Sequence, residues 1–292
     1  MKNLRIIAFV FLAGITHAMA AQGQIAFPDQ QQLILRHSVP VRIEVRKDTD
    51  LRAAWALIDA GNYEEAREHL EKAAHRDRVV AFYVLGLFYL RGYGVDADAD
   101  IAMSYFQKGA ARNHGLSKIM MAEMYYRGYK GKPDLSEAIR LLKDAAKHEG
   151  KAMFLLGRLY AAGEGLPKST NKAMNYYERA ARAGYYPAAT YLGHIFYQNG
   201  GGKDLKKARS WFQRNANAEG DPEGLYYYGI MQARGEGGRV DLQGGYIALA
   251  LAYALGYEAA LLERDQLATK LTPEQRAIGD RFVRELIADT LK

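Results

Sequence analysis

The segment LPKSTNKAMNYY (166–177) sets Ser169 three residues before Lys172. At that spacing a lysine amine activates a serine nucleophile in penicillin-recognising enzymes. The companion Ser-Asx-Asn and Lys-Thr-Gly elements are absent from the chain. DADAD (96–100) places carboxylates at alternate positions, as a calcium loop does. An EF-hand then needs glycine at its sixth position and glutamate at its twelfth, where Ile101 and Gln107 stand. His37, His69, His75, His114, His148 and His194 form no HExxH pair. Gly-x-Gly at 92–94, 163–165 and 235–237 continues into neither a dinucleotide fingerprint nor a phosphate loop. With no cysteine, thiol nucleophiles, thiolate zinc sites and iron–sulfur clusters are excluded. The expectation is therefore no catalytic residue, no metal and no cofactor.

The elements that hold these residues explain them better. Gly86, Ala122, Gly157, Gly193 and Gly229 sit at matching points of five similar blocks, at spacings of 36, 35, 36 and 36. A period in that range is the mark of a helical repeat array. Each block reads as two helices. The first carries an apolar stripe such as Leu85, Gly86 and Tyr89 and stops at a glycine (Gly92, Gly128, Gly163, Gly235), where a helix end favours a left-handed residue. The second carries Ala102, Phe106 and Ala110, or Ala173, Tyr177 and Ala181, at helical spacing.

Four residues before the small residue that sets each second helix stand Asp98, Asp134, Ser169, Asp204 and Asp241. Asp and Ser share one task at a helix start, accepting an orphan backbone N–H. A nucleophile is not interchangeable with aspartate, whereas a cap is. Ser169 reads as a cap, and DADAD as a turn leading into the Asp98 cap. His114 and His148 fall near the end of a repeat, where a solvated helix C-terminus suits a partly charged imidazole.

The block LGLFYLRGYGVDADADIAMSYFQKGAARNHG (85–115) resembles the Sel-1-like repeat, a relative of the tetratricopeptide. Residues 151–184 and 185–220 match it nearly as well, and 116–150 replaces the Leu-Gly pair with Met121-Ala122. Residues 51–78 look more like an ordinary tetratricopeptide unit, with Gly61, Tyr63 and Ala66 in place. The expected organisation is a leader at 1–20, an arm at 21–50, that unit at 51–78, five Sel-1-like repeats at 79–256 and capping helices at 257–292. The closing helix opens on the capping box Thr272-Pro273-Glu274-Gln275. The resemblance implies an all-α, right-handed superhelical solenoid. The arm is extended instead, with a strand pattern in VPVRIEVRK (39–47) whose apolar face, Val41, Ile43 and Val45, either docks on the first repeat or joins a partner's sheet.

In tetratricopeptide relatives the first helices line a concave face. Carried over, this exposes Tyr83, Tyr126, Tyr191, Tyr197, Tyr226 and Tyr227, which lie off the core register, together with Arg91, Arg127, Arg158, His194 and Arg234. Tyrosine and arginine dominate binding hot spots. The competing account is surface filling and stacking between repeats.

The N-terminus has Lys2 and Arg5, the apolar run Ile6–Ile15 and the small-x-small site Ala18-Met19-Ala20, which together form a secretory leader cleaved after Ala20. The run is about half of the ~20 residues a membrane span needs. The formal charge is +7, and removing Lys2 and Arg5 leaves +5 on a mature chain. The densest basic cluster, KDLKKAR (203–209), reads as a solvated helix start rather than a nucleic-acid site. The expected protein is periplasmic, or else secreted, and spans no membrane once the leader is removed. It is expected to be a non-enzymatic scaffold that binds a protein or peptide of the cell envelope. The alternative is a protein that binds peptidoglycan or exopolysaccharide on its tyrosines.

Overall fold

The computed structural model describes residues 48–129, 131–199, 204–216 and 220–290. The expected leader and the arm's strand pattern lie outside them. Fourteen helices and no strand occur among the described residues. In order they are α1 (Thr49–Asp59), α2 (Tyr63–His75), α3 (Val79–Arg91), α4 (Ala99–Ala111), α5 (Gly115–Tyr126), α6 (Leu135–Ala145) and α7 (Gly150–Ala162). There follow α8 (Thr170–Arg182), α9 (Tyr186–Asn199), α10 (Leu205–Gln213), α11 (Pro222–Arg234), α12 (Leu242–Ala254), α13 (Ala260–Ala268) and α14 (Pro273–Thr290).

Residues 48–170 form one compact unit and 171–290 a second. In the N-terminal unit, α1 pairs with α2, α3 with α4 and α5 with α6, and each pair packs on the next. In the C-terminal unit, α9 pairs with α10 and α11 with α12, while α13 and α14 both pack against α12. Each unit is thus a stack of helix hairpins, as the thirty-six-residue beat requires.

The small residue has a steric cause. A methyl group added at Gly86 would lie 2.5 Å from the Phe106 ring, and one at Gly193 would lie 2.4 Å from the Phe212 ring. Both rings are fully buried. The second helix drives its ring into the space glycine leaves, so the paired helices approach closely. Where the repeat has Ala122 instead, the matching second-helix position holds the smaller Leu142.

Caps and ties sit where the register puts them. Asp98, Asp134 and Asp241 accept the backbone N–H groups of Ile101, Glu137 and Gly244 at 2.8–2.9 Å. Ser169 immediately precedes α8. Its own N–H donates to the Tyr160 carbonyl at 2.9 Å, as those of Asp98 and Asp134 donate to Tyr89 and Tyr125. Asp204 departs from the pattern. Its ψ is 16°, its side chain makes no capping hydrogen bond, and it meets Lys207 at 3.2 Å instead. Gly92, Gly163 and Gly235 end their helices in the left-handed conformation, which a side chain would strain. The Thr272–Gln275 capping box forms reciprocally, at 2.9 and 3.2 Å.

Ahead of the expected first repeat, Asp48 caps α1 through the N–H groups of Asp50 and Leu51, and it also accepts from Arg76 and Arg78. Burial pushes its carboxyl up, but the Arg78 bond, the Leu51 N–H and Arg76 together hold it below the ordinary aspartate range.

Candidate binding faces on the first helices

On a first helix, the side facing away from the hairpin partner falls at positions −6, −2, +1 and +5 from the small residue. In the N-terminal unit the +5 position holds Arg91 and Arg127, both exposed. Arg127 reaches back to Glu123 at 2.7 Å. Glu123 is buried, and desolvation raises its carboxyl above the usual range even though Arg127, Lys151 and Arg91 pull the other way. Lys151 on α7 is also buried. Desolvation lowers its ammonium, with Glu123 opposing the shift. Arg158, one position past Gly157, is half-buried.

Two expectations fail in this unit. Tyr83 is not a groove residue, being only 5% exposed, with its ring 6.2 Å from Phe106 and 5.3 Å from His114. The run from Val79 to Leu90 contains no charge, and α3 is covered by both α2 and α4, so it buries nearly all round. His114 is not a solvated end-of-helix imidazole. It caps α5, its Nδ1 lying 3.3 Å from the Ser117 backbone nitrogen and 2.9 Å from Ser117 Oγ. Burial pushes it down to about 4, leaving the ring neutral at pH 7. His148 is exposed, as its position suggested.

The C-terminal unit holds more of the predicted side chains together. Tyr191 is 41% exposed and meets Tyr177 edge-on at 4.8 Å. The Tyr227 ring stacks on Phe212 at 5.4 Å, and the His194 ring sits against it at 4.5 Å. His194 Nε2 lies 3.1 Å from Glu223. Tyr226 bridges from Tyr227 (5.2 Å) to Tyr257 (5.0 Å). Arg234 is exposed, 3.8 Å from Glu236.

Sequence reasoning missed the acids that partner these residues. Tyr126 donates to Glu164 at 2.7 Å, and Tyr197 donates to Glu236 at 3.0 Å. Both tyrosines stand four residues after a small residue, and both glutamates stand seven after the next one. The bond therefore ties one repeat to the next, once in each unit. The signal was the motif Gly-Glu-Gly, present at 163–165 and 235–237. Also missed was a buried bracket at the start of α11. Asp221 accepts from Gly224 N–H and Thr190 Oγ1, while Asn215 bonds both Thr190 and the Asp221 N–H. No group of three or more metal-ligating side chains occurs among the described residues.

A stack of helix hairpins, with a small first-helix residue facing the second helix, defines a class, the helical-repeat proteins that act as protein-interaction scaffolds. The Sel1 repeat family model matches residues 58–77, 80–114, 116–149, 150–185 and 187–218, and the chain belongs to that family. The match at 58–77 falls in the segment whose residues look more like an ordinary tetratricopeptide. Residues 222–254 lie beyond the matches yet fold as a hairpin of the same build. A Sel1 repeat protein from Oxalobacter formigenes has a similar structure, with a TM-score of 0.61 at 25% identity over 80% of this chain and 98% of that one. The Sel1-repeat-containing protein YjcO of Escherichia coli is 28% identical over 56% of this chain and 76% of its own. The alginate biosynthesis protein AlgK of Azotobacter vinelandii is 26% identical over 53% of this chain, which spans about a third of AlgK (34%).

Proposed function

We propose that this chain is a non-enzymatic adaptor of the bacterial cell envelope, exported to the periplasm, that holds a protein or peptide against the first-helix faces of its units. One observation carries the reading. Arg91, Arg127, Tyr191 and Arg234 lie off the core register and remain exposed, on helices whose other faces are consumed by packing. Side chains of these types, held on rigid helices, suit the centre of a binding surface. The expected leader at 1–20 supports the envelope address, as does the likeness to a protein named for alginate biosynthesis. No helix among the described residues is long and apolar enough to cross a membrane.

The test is capture from envelope extract by the full chain and by a variant carrying Arg91→Ser, Arg127→Gln and Tyr191→Ser. Loss of one discrete protein partner, with circular dichroism unchanged, supports the proposal. Undiminished capture places the partner on another surface. Retention of a glycan with no protein favours carbohydrate binding on the exposed tyrosines.

A further inference from the structure

Two second helices of the C-terminal unit are mostly basic, with Arg179 and Arg182 beside Glu178 on α8, and Lys206, Lys207 and Arg209 on α10. The first-helix side carries carboxylates beside an aromatic cluster. Glu223 and Glu236 are about a quarter exposed, at 25% and 24%, and border the Tyr197–Tyr227–Tyr226–Tyr257 rings. The helix α13, which carries Glu263, packs against α11, which carries Glu223, Tyr226 and Tyr227. Burial and then Glu223 raise Tyr227 and Tyr257, the latter to about 12, and burial followed by Glu263 raises Tyr226. The cations beside these carboxylates are Arg234, 3.8 Å from Glu236, the imidazole of His194, 3.1 Å from Glu223, and Arg264, which follows Glu263 and pairs with Asp265 at 2.6 Å.

We infer that the first-helix face of the C-terminal unit recognises an extended peptide through its arginine or lysine side chains, with Glu223 and Glu263 as the charge partners and the tyrosine rings as the platform. This inference rests on the scaffold reading and names the chemistry of the partner. A π-face attracts a cation, and a guanidinium satisfies both parts of the surface, stacking flat on a ring while its N–H fork bonds a carboxylate. Long-range attraction does not account for such binding, because the whole chain is itself positive, at +7. A basic peptide must find this face locally.

The test uses the full chain and two fluorescein-labelled decapeptides, one alternating glycine with arginine and the other glycine with glutamate, read by fluorescence anisotropy. The arginine peptide is expected to bind. The double substitution Glu223→Gln and Glu263→Gln should weaken it about tenfold, and Glu178→Gln on α8 should leave it unchanged. Raising the salt from about 50 to about 300 mM should reduce binding to the wild type far more than to the double variant. The inference is overturned if the arginine peptide does not bind, or if the double variant binds it as well as the wild type. Binding of the glutamate peptide alone, lost on Arg127→Gln, overturns it too but leaves the scaffold reading standing. If the double variant loses helicity, photo-crosslinking of the arginine peptide to the unaltered protein decides. Adducts on α11 or α13 support the inference, and adducts confined to second helices overturn it.

Discussion

The fit of Phe106 over Gly86 sets a quantitative expectation for Gly86→Ala. In an open helix the change would stabilise, since alanine exceeds glycine by about 0.8–1.0 kcal/mol in helix propensity. Here the new methyl would sit 2.5, 2.7 and 2.9 Å from three atoms of the Phe106 ring. Reaching an ordinary carbon contact of about 3.5 Å requires the ring, or the whole of α4, to retreat by roughly 1 Å. The ring is fully buried, and overpacking of this kind costs about 1–3 kcal/mol. The net expectation is a loss of up to about 2 kcal/mol, with none of the propensity gain visible. The pairing of Ala122 with Leu142 in the next repeat suggests the remedy. Phe106→Leu alone should cost about 1–2 kcal/mol in lost burial and cavity. Added to Gly86→Ala, it should restore space, making the double variant at least about 1 kcal/mol more stable than additivity gives. Urea denaturation of the four proteins, followed by circular dichroism, measures the cycle. Additive costs, or a Gly86→Ala protein more stable than wild type, would refute the steric account of the small residue.

Other consequences are smaller but separable. Ser169→Asp should leave stability near wild type while Ser169→Ala costs about 0.5–2 kcal/mol, and mass spectrometry should detect no β-lactam adduct on Ser169. Removing the hydroxyl that ties repeats together, by Tyr126→Phe or Tyr197→Phe, should cost about 0.5–1.5 kcal/mol each in urea denaturation. Asp144 accepts from Lys118 and Lys147, and those bonds lower its carboxyl to about 2. Its folded value lies below its unfolded one, so its contribution is complete above about pH 4 and is lost as pH falls towards 2. Asp144→Asn should therefore lower the melting temperature at pH 7 and flatten its fall between pH 4 and 2.

Most of the fold was legible because each hairpin repeats the same local physics. A small residue in the first helix, an acid or serine at the second-helix start, and glycine at the first-helix end each recur at one period, so several weak signals read as one strong signal. What failed was context that is not periodic. Tyr83 stands three residues before Gly86, outside the register of the away-facing side, and α3 lacks any charge to hold a face in water, so neighbouring helices close over it. His114 looked like a helix end because the sequence hides that it begins the next helix and is desolvated there. Asp204 kept the capping residue type but not the backbone angle. The exposure of Arg91, Arg127, Tyr191 and Arg234 was legible from the register. The acids opposite its tyrosines were not, because Tyr126–Glu164 and Tyr197–Glu236 join residues 38 and 39 positions apart. Pairing across that distance needs the stacking geometry of two repeats.

The central claim is that the first-helix faces, rather than the second helices, hold a protein partner. The most direct measurement is in-cell photo-crosslinking, with a photoreactive residue placed singly at Arg91 and Tyr191 on first helices and at Gln107 and Lys206 on second helices, all four exposed. The account predicts adducts with one discrete envelope protein from Arg91 or Tyr191 and none with it from Gln107 or Lys206. Adducts to that protein arising only from the second-helix positions would contradict the account.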